Sequence, residues 1–193
     1  PYNAQMTIEA MQKAAKGGCQ LVVFPELGLT GYTCGDLFLQ QPLQKAAETA
    51  LREILHASEP LNLVALVGLP VLADGKLYNC AAVICRGQLL GLVPKSYIPN
   101  YGEFYEKRHY CPAPSGTKEL QFAGQHVLFG AKILFRCENM PEFTLAAEIC
   151  EDLWAPLPPS TAHALAGATV IANLSASDET VGKAEYRRAL VSQ

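Results

Sequence analysis

Three short apolar runs in this chain each stop at a reactive side chain, and they constrain the fold more than any other feature. They are Leu21-Val-Val-Phe-Pro-Glu26, Leu90-Gly-Leu-Val-Pro-Lys95 and Leu145-Ala-Ala-Glu-Ile-Cys150. Each is of strand length, and runs this apolar need cover on both faces. Leu63–Leu69 and Thr169–Leu174 read the same way, and strands are predicted over 126–135 and 143–149. Leu77–Cys85 and Leu89–Val93, joined by Arg86-Gly87-Gln88, predict a hairpin. Helical patterns lie between the strands. One covers 4–16, with Asn3 as N-cap and Gly17-Gly18 as stop. A second covers 43–57, with Leu43, Ala47, Leu51, Ile54 and Leu55 on one face. Shorter helices are predicted near 160–167 and from Gly182. Residues 28–42 and 97–125 read as loops, the second long and broken by Pro and Gly. Strands alternating with helices, plus a hairpin, give an α/β class with a mixed sheet. Helices on one face leave the other to pair with a second sheet.

Composition agrees. Half of the 193 residues are apolar and 17 % are charged, against about 25 % charged in an ordinary soluble domain. A doubly covered sheet and broad subunit contact both account for that. The length fits one domain. A net charge of -3 without a Lys/Arg cluster argues against nucleic acid or an anionic membrane as the main partner. No apolar run approaches the ~18 residues of a membrane span. Seven cysteines contain no Cys-x-x-Cys, and four histidines contain no His-x-x-x-His, so no metal site is expected. Six of the thiols read as inert in a reducing, cytoplasmic compartment.

Ligands of open α/β sheets gather beyond the carboxyl ends of the strands, where this chain places a carboxylate, an amine and a thiol. A thiol with a pKa near ~8.5 needs a base or a positive field to attack at neutral pH. Glu26 offers the base and Lys95 the cation, which also suits a tetrahedral oxyanion. Other schemes fare worse. Ser96, Ser115, Ser175 and Ser177 lack a Gly-x-Ser-x-Gly elbow, and nothing local favours His109 or His126 as a partner for cysteine. No Gly-rich phosphate loop supports a nucleotide site.

Phe24-Pro-Glu26, Pro94-Lys95 and Ile149-Cys-Glu-Asp152 resemble, in that order, the three signatures of the nitrilase (carbon–nitrogen hydrolase) superfamily. Longer motifs narrow the likeness: Phe24-Pro-Glu-Leu-Gly-Leu-Thr-Gly-Tyr32 with Cys34-Gly-Asp-Leu-Phe38, Lys95 through Arg108, Ile149-Cys-Glu-Asp-Leu-Trp154 and Asn173-Leu-Ser-Ala-Ser177. From about Asn3 to Arg188 the chain is similar to the glutaminase domains of glutamine-dependent NAD synthetases. The resemblance implies an α-β-β-α sandwich truncated at both ends. Residues 1–193 would be most of a nitrilase-like glutaminase domain, its first strand and C-terminal part missing and its synthetase domain absent.

The implied function is hydrolysis of L-glutamine through a cysteine thioester, with ammonia passed to the protein's own C-terminal synthetase domain for conversion of deamido-NAD to NAD. ATP and Mg2+ belong to that absent domain, and the glutaminase step needs no metal or cofactor. A homo-oligomer is implied. So are Cys150 as nucleophile, Glu26 as general base and Lys95 as oxyanion partner. Glu106 resembles the superfamily's second glutamate, with Glu103 as its rival. Tyr101, Phe104 and Glu151 resemble substrate-binding positions; Glu151 suits an α-ammonium, and Ser177 and Lys183 an α-carboxylate. Two alternatives stand beside this reading: a free-standing amidase or carbamoylase of the same superfamily, and a non-enzymatic assembly module. A downstream Ser-Gly-Gly-x-Asp-Ser motif would distinguish the synthetase.

Overall fold

The computed structural model describes residues 1–192. In chain order the elements are α1 (Tyr2–Lys16), β1 (Leu21–Val23), a 3-10 turn (Gly35–Leu39), α2 (Gln41–Ser58), β2 (Val64–Ala73), β3 (Lys76–Cys85) and β4 (Gln88–Pro94). A 3-10 turn (Glu106–Arg108), β5 (Lys118–Phe122), β6 (Gln125–Phe129), β7 (Phe135–Cys137) and β8 (Met140–Ile149) follow. The chain continues with a 3-10 turn (Cys150–Trp154), α3 (Pro159–Leu165), β9 (Val170–Leu174) and α4 (Lys183–Val191).

The strands form two mixed sheets, one ordered β1-β2-β3-β4-β6-β5 and one ordered β7-β8-β9. β2, β3 and β4 run antiparallel, whereas β1 joins β2, β6 joins β4 and β9 joins β8 in parallel. Side-chain alternation along β2 shows why there are four layers. Ala65, Val67, Leu69 and Val71 pack with Met11 of α1 and Leu51 and Ile54 of α2. Leu66, between them, packs with Ala81, Val83 and Val93 against Leu145, Ala147, Ile149, Ala172 and Leu174 of the second sheet. On that sheet's far side α3 lies against β8, and Glu148, out of register with the inward Ala147 and Ile149, accepts the N–H of Ser160 at 3.0 Å. Helices, sheet, sheet, helix is the expected sandwich.

Several local expectations change. Asn3 lies inside α1, which Pro1 caps; its amide donates to Leu29 O at 3.1 Å, a tertiary contact that a cap assignment overlooks. The stretch 126–135 is two strands in different sheets, divided at Gly130. Residues 97–125 are not all loop, because Lys118–Phe122 pairs with Gln125–Phe129 as a hairpin. β2 and β3 also form a hairpin, through Asp74 (φ 49°) and Gly75 (φ 71°), an Asp-Gly pair that favours such two-residue turns. Of the six cysteines expected to be inert, Cys80 alone is buried and Cys19 is exposed. Among the described residues no helix is long and apolar enough to cross a membrane.

Candidate active site

Glu26 follows Pro25, which cannot donate to the ladder and ends β1. The chain then turns sharply: Gly28 N–H donates to Pro25 O and Leu27 takes φ 51°. This turn lies directly on β2 at Gly68. A Cβ on Gly68 would stand 2.4 Å from both Pro25 O and Leu27 N and 2.9 Å from the carbonyl carbon of Glu26. The glycine therefore lets the backbone deliver Glu26 inward, where it is 2 % exposed.

Lys95 ends β4, its N–H donating to Asn79 O at 2.8 Å, and its side chain is wholly buried. Nζ donates at 2.7 Å to Glu26 Oε1 and at 2.7 Å to Glu106 Oε1. Burial pulls this ammonium towards neutrality, but the Glu26 and Glu106 carboxylates outweigh it and hold its pKa above the usual lysine value. Glu106 also accepts from the Tyr32 hydroxyl at 2.7 Å. Its short turn is tied down from outside, where Arg108 grips Asp36 with two hydrogen bonds and His109 adds a third contact. Glu106, not Glu103, is the carboxylate that meets Lys95; Glu103 stands on the rim of the pocket.

Cys150 follows the last residue of β8 with φ 44°, a left-handed conformation that costs a non-glycine residue about 1 kcal/mol or more and clusters at functional sites. The Ser175 hydroxyl donates to its Sγ at 3.3 Å. Ala176 N–H donates to Glu26 Oε2 at 3.1 Å, so the loop after β9 touches both groups. Burial, with the Glu26 carboxylate beside it, pushes the Cys150 thiol up to about 11, against the opposing pull of Lys95 and Ser175. Asp152 fastens the two strand ends together. Its Oδ1 accepts from Ser96 and Tyr97 N–H at 3.0 and 2.8 Å, and its Oδ2 accepts from Ile149 N–H at 2.9 Å.

Over Cys150 opens a cavity of about 440 Å³, also lined by Glu106, Tyr101, Phe104, Glu151, Ser177 and Lys183. Glu26 and Lys95 lie beneath its floor. Tyr101 donates to both oxygens of Glu151, at 2.9 and 2.8 Å, and its own hydroxyl is pushed up to about 12 by burial and by that carboxylate. Lys183 Nζ donates to Ser177 Oγ at 2.6 Å and also to Asp178, and lies 5.4 Å from the centre of the Trp154 ring. All nine residues singled out in the sequence thus converge on one pocket and its floor. Chemically, a protonated thiol with an adjacent carboxylate and a fixed ammonium can attack an electrophilic carbon and steady the charge that results.

The carbon-nitrogen hydrolase family profile matches residues 1–193. The chain belongs to the carbon-nitrogen hydrolase family. It is 45 % identical over 188 residues to the glutamine-dependent NAD(+) synthetase of Mycobacterium tuberculosis, covering 97 % of this chain and 28 % of that protein. A crystal structure of a glutamine-dependent NAD(+) synthetase from Cytophaga hutchinsonii matches with TM-score 0.82 and 29 % identity, over 98 % of this chain and 30 % of that one. An amidase from Nesterenkonia sp. shares the fold, with TM-score 0.70 and 19 % identity over 95 % of this chain and 62 % of that one. The chain therefore spans less than a third of the length of the synthetases that it matches.

Within this carbon-nitrogen hydrolase, four groups around the site escaped sequence reasoning. Asn79 carried a usable signal, a lone amide in the apolar strand Leu77–Cys85. Ser175 carried another, directly after a strand. Tyr32 and Asp152 stood in recognised motifs, but nothing local says which partner either would reach.

Proposed function

We propose that this chain hydrolyses the side-chain amide of L-glutamine through a thioester on Cys150, and that in a longer protein the ammonia released serves a C-terminal domain converting deamido-NAD to NAD. One observation supports the reading best: Glu26, Lys95, Glu106 and Cys150 form a single buried cluster beneath one pocket. The similarity to glutamine-dependent NAD(+) synthetases over 97 % of the chain supports glutamine as the substrate and favours this reading over a free-standing amidase.

Sγ attacks the amide carbon while Glu26 takes the thiol proton. A thiol pushed up to about 11 holds its proton at neutral pH, so attack needs a base already in place. Lys95 has three N–H bonds and gives two to carboxylates. The third remains for the oxyanion, together with backbone N–H groups after Cys150. Collapse breaks the C–N bond; Glu26 returns its proton to the departing nitrogen, and ammonia leaves a γ-glutamyl thioester. Water then gives a proton to Glu26 and attacks the thioester, and the departing sulfur is reprotonated, releasing glutamate. Glu106 keeps Lys95 in place.

Glu151 faces the α-ammonium, Ser177 and Lys183 face the α-carboxylate, and Tyr101 and Phe104 flank the chain of the substrate. The glutaminase step uses no metal or cofactor; ATP and Mg2+ belong to the synthetase step. The setting is cytoplasmic, where the thiol stays reduced, and the protein is a homo-oligomer. Cys150→Ala in the full-length protein should abolish glutamine-dependent NAD formation and leave formation from free ammonia intact. Persisting glutamine use would overturn the cysteine assignment. Glutamine hydrolysis by a full-length protein that forms no NAD would identify an amidase.

A further inference from the structure

Asn79 lies on β3, in the middle of the larger sheet, with no surface exposed. An amide on an otherwise apolar buried strand is costly unless it is hydrogen-bonded, and this one points at the acid cluster. Its Nδ2 donates to Glu26 Oε1 at 2.7 Å and lies 3.4 Å from Glu106 Oε2. Lys95 donates to the same Glu26 oxygen at 2.7 Å. Oε1 therefore carries two strong donors, whereas Oε2 accepts the longer bond from Ala176 N–H at 3.1 Å. The two carboxylate oxygens are not equivalent.

We infer that Asn79 is a positioning residue that, with Lys95, commits Oε1 of Glu26 to the scaffold and leaves Oε2 as the atom that exchanges protons with Cys150. The inference rests on the reading of Glu26 as the base. Lys95 alone cannot fix the carboxylate plane, because its ammonium is shared with Glu106 and rotates about one bond. The amide enters from a second, rigid strand and prevents that rotation. It also stabilises the ionised carboxylate without adding charge. The titratable groups facing Glu26 are Lys95, Glu106, Cys150, Tyr32 and Tyr110. Lys95 is the one cation among them, so a lost neutral donor is not replaced by charge.

The test uses the full-length protein and compares wild type with Asn79→Leu, close in size but without a donor, and with Asn79→Ala, smaller and likewise without a donor. Glutamine hydrolysis is followed from pH 5 to 9. Losing the donor should move the acid limb of kcat up by about one to two pH units, the equivalent of one hydrogen bond to a charged group. It should lower kcat by about tenfold or more through misplacement of the base, with KM within about threefold of wild type. An acid limb that stays in place in either folded variant, even with lower activity, would overturn the inference and leave Asn79 a packing residue. Glu26→Gln is the separate arm. If it still forms the thioester at the wild-type rate, the base reading itself fails. If it is inactive while the Asn79 variants keep the wild-type limb, the positioning role alone fails.

Discussion

Replacing Glu26 by glutamine should change two reactions of Cys150 in opposite directions. In the free protein the thiol, pushed up to about 11 by burial and by the Glu26 carboxylate, is about one part in ten thousand thiolate at pH 7. Alkylation should therefore accelerate about tenfold per pH unit from pH 7 to 10, because only the thiolate reacts. Glu26→Gln removes a negative charge from beside the sulfur, which should lower the thiol pKa by about one unit or more. At pH 8 the variant should alkylate about tenfold faster. Burial, the larger cause, remains, so the thiol stays weaker than a free cysteine. Glutamine hydrolysis should fall by about a hundredfold or more, since the proton acceptor is gone. The assay is a timed iodoacetamide pulse on the full-length protein, followed by mass spectrometry of the peptide carrying Cys150. A bulk thiol assay would be dominated by Cys19, which is exposed. A flat alkylation profile between pH 6 and 9 would report a thiolate preformed beside Lys95 and refute the reasoning. So would parallel loss of both reactions in Glu26→Gln.

Gly68→Ala should destabilise the fold by about 1–3 kcal/mol and reduce glutamine hydrolysis more than its small size suggests. Its Cβ meets backbone atoms of Pro25 and Leu27 at 2.4 Å, and those atoms cannot move without carrying Glu26 with them; a melting curve and kcat check both. Lys183→Ala should raise KM for glutamine by about tenfold and change kcat little, because Nζ bonds Ser177 and Asp178 in the pocket wall rather than the Glu26–Lys95–Glu106 cluster. The two constants separate if this is right.

The layers of the sandwich were legible wherever periodicity was clean. β2 alternates between two cores, and the apolar face of α2 at Ala47, Leu51, Ile54 and Leu55 is buried as its spacing requires. Legibility failed where partners decide structure. The polar-alternating pattern Lys118–Phe122 sits among turn residues and becomes a strand only because Gln125–Phe129 lies beside it. The stretch 126–135 is largely apolar apart from His126 and Lys132, and its pattern does not say that its halves enter different sheets.

The site divides in the same way. Glu26, Lys95 and Cys150 announce themselves because each ends an apolar strand, and strand ends are where a sheet exposes chemistry. Local sequence determines that much, since a run of buried residues must stop where the chain leaves the core. Which of Glu103 and Glu106 meets Lys95 was beyond it. The choice turns on how Asp36 grips Arg108 and His109 from across the loop. The amide of Asn79 and the bare surface of Gly68 acquire their roles only when β2, β3 and the Glu26 turn come together. Hydrogen bonds and steric limits act over about 3 Å, whereas the residues that they join lie far apart along the chain, so only the folded arrangement of the strands decides them.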